Sequence, residues 1–219
     1  MTIPARLRPT IHTICSDMWD GYLGAAAEFI AAFPEVTADI VIDRFHVAQN
    51  YRADFDTLRK KELRRLRQEL SPETYQEVAH GMHWVLRHNH ANLDEDDKVR
   101  LRTLFHYAPD LHQAYSLREE LTAIFNMNLT RSEGRQRLEK WMAKVERYPI
   151  NYFAKFLKTL RNHLDRIANY FHKQANSGFV EGLNNKLKTI TRRSYGLKRV
   201  DSLFRRLWLD TSGRKRFLA

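Results

Sequence analysis

Apolar and β-branched residues gather at Thr10–Ser16 (TIHTICS) and again at Asp39–Asp43, where Ile40, Val41 and Ile42 run without interruption. An uninterrupted apolar run suits a strand covered on both faces. Between the two, DMWDGYLGAAAEFIAAF sets Leu23, Ala27 and Ile30 at helical spacing, and Pro34 marks the stop. The pattern predicts a β-α-β unit. A crossover of helix length implies parallel strands, neighbours in one sheet, joined with right-handed topology.

From Val47 to Gln174 the readable periodicity is helical, with breaks at SPET, HNHANLDEDD, APD and Tyr148-Pro149. In RADFDTLRKKELRRLRQEL, Phe55, Leu58, Leu63, Leu66 and Leu70 share a face opposite the Lys and Arg residues, as in a surface helix. That basic side reads as a solvated face before it reads as a nucleic-acid contact. The last block opens with the loop residues Asn176, Ser177 and Gly178 and continues as a helix. Val180, Leu183, Leu187 and Ile190 fall on one side of it, and Glu181, Asn184, Asn185, Lys188 and Arg192 on the other. Gly196 suits a stop before a second amphipathic helix through Leu203, Phe204, Leu207 and Trp208.

The bulk composition narrows the classes. The chain has 219 residues, 43% hydrophobic and 29% charged, which is that of a folded domain or two rather than a disordered tail. No apolar run approaches the roughly 18 residues of a membrane span, and the N-terminus lacks a signal-peptide core, so a cytoplasmic location is expected. The single cysteine, Cys15, sits in apolar surroundings and reads as a small buried hydrophobe. The net charge of +11 points to a polyanionic partner.

Carboxylates carry the candidate chemistry. Asp17 follows the first predicted strand and Asp43 ends the second, and the carboxyl ends of parallel strands open on the functional crevice of an α/β sheet. Each has a plainer reading. Ser16 and Asp17 have the residue types of a helix cap, and Glu181 in a first helical turn is favoured by the macrodipole alone. His80, His83, His88 and His90 crowd one region without a zinc-ligand spacing and read as surface or capping residues. Trp19, Trp84, Trp141 and Trp208 read as core aromatics before base-stacking platforms.

Taken in order and spacing, SDMWDGY, VIDRFHV and NSGFVEGLNNKLKTITRRSYG resemble the blocks of insertion-sequence transposases of the ISL-three type. These have a DDE catalytic domain of ribonuclease H-like fold. The resemblance covers nearly the whole chain and is most specific at SGFVEGLNNKLK with RRSYG. It implies that Asp17 and Glu181 are catalytic and hold Mg²⁺ or Mn²⁺. Asp43 and His46 are similar to a Cys/Asp-x-x-His accessory signature that orders the active site or the insertion. Lys186, Lys188, Arg192 and Arg193 would hold the DNA backbone, with Asn184 or Asn185 orienting a ligand or phosphate. Transposon ends and target DNA are the implied partners, and the full-length form is expected to be a homo-oligomer.

The expected fold is mainly α with a small α/β part, the C-terminal portion of a ribonuclease H-like fold with a large all-helical insertion. Its expected parts are a partial β-α-β segment over 1–46, the insertion over 47–174 and C-terminal helices over 175–219. The resemblance places the family's first catalytic aspartate on a strand upstream of the segment aligned with Met1. A chain without it is expected to be inactive alone. The competing reading is a non-catalytic DNA-binding or oligomerising remnant; a helical nucleic-acid-binding protein of unrelated origin is disfavoured by the three ordered motifs.

Overall fold

The computed structural model describes residues 3–148, 151–175, 178–194 and 199–217. A 3-10 turn over Ala5–Thr10 encloses Pro9 and leads into strand β1, Thr13–Ser16. The strand is therefore shorter than TIHTICS predicts. The Ile11 N–H bonds back to the Arg8 carbonyl at 3.1 Å, and Pro9 has no N–H to give a ladder. Helix α1, Asp20–Ala32, crosses to strand β2, Asp39–Ile42, and the strands pair in parallel with Ser16 opposite Ile42. The stripe that α1 buries runs through Leu23 and Ala26, so Ala27, expected on the inner face, is exposed.

β2 stops at Ile42 because the next residue has another task. Asp43 is the N-cap of helix α2, Arg44–Glu69, and its Oδ1 accepts the Phe45 N–H at 3.0 Å. After α2 come α3 (Pro72–Ala79), α4 (Met82–Val85), α5 (Glu95–Tyr107), α6 (Pro109–Asn126), α7 (Arg131–Glu146), α8 (Ala154–Asn162), α9 (Leu164–Ala168) and α10 (Tyr170–Lys173). No strand occurs among the described residues of this stretch. Local signals set the starts: Ser71 caps α3 ahead of Pro72, Asp94 caps α5, and Thr130 with Glu133 forms a reciprocal capping box on α7.

One core serves the β-α-β segment and the helical block together. Phe55, Leu58 and Leu66 of α2 are buried in it, with Leu63 and Leu70 partly so. At its centre Tyr51 stacks on Phe153 at 4.6 Å and meets Phe156 edge-on at 5.3 Å, while its hydroxyl donates to the Ala114 carbonyl at 2.6 Å. Helix α9 packs against β2, and the Asn169 amide that follows it donates to the Ile40 carbonyl at 2.9 Å.

Residues 3–175 form one compact unit, and the chain from 176 onward forms another. The second contains α11, Gly178–Arg193, packed against α12, Val200–Phe217, with Ile190 and Leu207 buried. Leu183 and Leu187 are half-buried, as the expected apolar face requires. Asn176, Ser177, Tyr195 and Gly196, and the Val180 side chain, lie outside the described residues.

Candidate carboxylate site and basic helix

The register that sets Ser16 against Ile42 carries the two chains out of the sheet side by side at Asp17 and Asp43. Neighbouring strands lie about 4.8 Å apart, so both carboxylates leave the same end of the sheet. Their local uses differ. Asp43 is only 4% exposed and caps α2. Asp17 is half-exposed and does not cap α1; Trp19 occupies the cap position without a side-chain bond. Asp17 Oδ1 accepts the Trp19 N–H at 3.0 Å in a short turn, which corrects the expectation of a helix-capping aspartate. Its Oδ2 has no hydrogen-bond partner among the described residues.

His46 lies in the first turn of α2 that Asp43 organises, half-buried and edge-on to the ring of Phe45 at 5.6 Å. Asn50, not singled out from the sequence, ties this turn to the loop after β1. Its amide donates to the His46 carbonyl at 2.9 Å and approaches Met18 Sδ at 3.8 Å. The sequence signal was a polar residue one helical turn beyond His46. Burial raises the Cys15 thiol, and the nearby Asp43 carboxylate raises it further. That keeps Cys15 protonated and fits its reading as an unreactive residue, though it is half-buried rather than enclosed.

Glu181 stands exposed in the first turn of α11, in the second unit. Along the same helix Asn184, Leu187, Lys188, Thr191 and Arg192 line a shallow groove of about 430 Å³. The four basic candidates do not act alike. Lys186 is engaged with Asp210 of α12 at 3.4 Å, whereas Lys188, Arg192 and Arg193 are exposed without an ion pair among the described residues. Hard oxygen donors at Asp17 and Glu181 suit Mg²⁺ or Mn²⁺. No group of three or more His, Cys, Asp or Glu among the described residues could hold a metal ion.

Trp141 is buried as expected, but Trp19 and Trp84 are about 60% and 59% exposed and Trp208 is exposed as well. The Trp84 ring is held at the surface by its Nε1–H, which donates to Asp97 at 3.1 Å. His80, His83 and His90 are exposed, in keeping with surface residues.

A parallel β-α-β unit ending in paired aspartates, a helical block and a basic helix headed by a glutamate is the arrangement that the sequence motifs imply. The chain belongs to the DDE transposase family of the ISL-three type, whose sequence profile matches residues 2–207. It is 30% identical over 203 residues to the transposase for insertion sequence element IS1001 of Bordetella parapertussis, covering 92% of this chain and 48% of that protein. It is also 25% identical over 135 residues to the transposase for insertion sequence element IS1557 of Mycobacterium tuberculosis (strain ATCC 25618 / H37Rv), covering 62% of this chain and 30% of that protein. The chain thus spans about half the length of the first relative and less of the second. No solved structure matches it. No described helix is long and apolar enough to cross a membrane.

Proposed function

We propose that this chain supplies two metal-holding carboxylates, Asp17 and Glu181, and a phosphate-contacting helix face to DNA strand cleavage and transfer of the DDE type. The observation that carries the reading is Asp17 itself. It stands at the carboxyl end of a parallel strand, half-exposed, with one oxygen free of structural duty and with the Asp43-His46 turn beside it.

Mg²⁺ or Mn²⁺ held by carboxylates would supply activation of a water or a DNA 3′-hydroxyl and charge neutralisation at the phosphodiester. Asp17 and Glu181 would hold it. Asp43 fixes the start of α2 and through it His46, a positioning role. Lys188 and Arg192 would steer the DNA backbone past Glu181. In this reading the β-α-β unit is part of a ribonuclease H-like sheet.

Binding of Mn²⁺ followed by electron paramagnetic resonance tests the pairing. Asp17→Asn and Glu181→Gln should each weaken it on the order of tenfold. An unchanged affinity in Glu181→Gln would sink the assignment. The net charge of +11 also supports a second reading, DNA binding without metal chemistry. Salt-sensitive DNA binding with no Mn²⁺ binding would select it.

A further inference from the structure

We propose that a cleft in the helical block, walled by α2, the segment after α4 and α6, binds a phosphodiester of DNA at a place separate from the carboxylates. The identity of the polyanion rests on the transposase reading; the existence of the site does not.

The cleft encloses about 480 Å³, within the range of small-ligand sites. Gln49, Arg52, Asp56 and Arg59 enter it from α2 at spacings of three, four and three residues, which keeps them on one helix face. Arg87 and Arg118 enter from the other side, over an apolar floor that includes Phe55 and Leu86. Four arginines and one aspartate line the cleft; Asp56 Oδ1 accepts from Arg59 at 2.9 Å, and Arg118 is paired with Glu119 at 2.7 Å, which leaves Arg52 and Arg87. Arg52 and Arg87 make no ion pair or side-chain hydrogen bond among the described residues.

Arg118 prepares the wall rather than the contact. Its guanidinium donates to the carbonyls of Leu86 and His88, the latter at 2.6 Å, and so pins the backbone on both sides of Arg87. The Tyr115 hydroxyl holds the same His88 carbonyl at 2.9 Å. Arg118 Nε is buried without a partner, which adds an uncompensated donor behind the cleft. Two unpaired guanidinium forks across a concave, partly apolar wall are suited to a phosphate, which accepts them bidentately. The concavity focuses their field.

Anisotropy titrations of a short labelled duplex with the 219-residue chain test the site. The variant Arg52→Gln/Arg87→Gln is compared with Arg64→Gln/Arg67→Gln, which removes the same charge from exposed positions of α2 outside the cleft. The cleft variant should bind about tenfold more weakly near 0.1 M salt, with a log–log salt slope shallower by about 1.8, roughly 0.9 per lost contact. The control should stay within about twofold. Equal losses in both variants, or none in the cleft variant, would overturn the proposal. So would competition by an acidic peptide, but not by inorganic phosphate, that vanishes in the cleft variant, because the cleft would then serve a carboxylate ligand. Both variants should keep the parent's thermal stability; unfolding of the cleft variant would contradict the freedom of its two side chains. The cleft variant should bind Mn²⁺ as the parent does, so failure of the carboxylate site and failure of the cleft show separately.

Discussion

Asp17 and Asp43 leave neighbouring parallel strands at the same level, yet Asp43 is buried as a helix cap while Asp17 keeps an oxygen turned to no structural partner. The pair divides along that line: Asp43 is committed to the scaffold, and Asp17 is not. Asp43→Ala should therefore cost about 1–3 kcal/mol in urea unfolding, from the lost cap and the disturbed turn around His46. Asp17→Asn keeps an acceptor for the Trp19 N–H and should stay within about 0.5 kcal/mol of the parent. Equal destabilisation by the two would deny the division.

On α11, replacing Lys188, Arg192 and Arg193 together with alanine should weaken duplex binding about equally on unrelated sequences, since phosphate contacts carry no sequence information. Lys186→Ala should do less, because Asp210 already engages that ammonium. Competition titrations on two unrelated duplexes separate these outcomes.

Gly134→Ala tests the packing of the helical block. A Cβ there would lie about 2.1 Å from the Phe171 ring, which is itself stacked on Phe125 at 5.5 Å and cannot swing aside freely. The substitution should destabilise by about 1–3 kcal/mol. Unfolding midpoints in urea measure it.

His163 gives a pH signature. Burial lowers its pKa from the ordinary 6.5, Asp20 opposes the shift, Arg166 adds to it, and Nδ1 is enclosed without a partner. The folded state thus favours the neutral ring. Its stabilising contribution is present above 6.5 and is lost as pH falls through the lowered folded value. Replacing it with leucine should flatten stability over that window, as thermal melts between neutral and mildly acidic pH would record.

A continuous apolar run and period-3.6 patterning made the β-α-β unit and the long α2 legible, because Val41, Ile42, Phe55, Leu58 and Leu66 are buried and Ile40 partly so. Boundaries were less so. Thr10–His12 looked β-branched and strand-like, but a 3-10 turn around Pro9 takes the chain before the ladder begins. Asp17 had the chemistry of a cap, and only the fold shows α1 starting three residues later. Trp84 had the bulk of a core residue, yet Asp97, more than a dozen positions away, anchors it at the surface. The arginine cleft was half visible as a helical spacing on α2; its other wall is brought by Arg118, whose reach to Leu86 and His88 no local pattern announces.

The amide of Asn169 has a consequence for how the sheet can grow. Asp39 directs its N–H toward β1, bonding His12 at 3.2 Å, so the Ile40 carbonyl points outward, where Asn169 and α9 meet it. That contact takes an acceptor on the outer margin of β2 that an added strand would need, so α9 blunts this edge of the sheet against pairing with another chain.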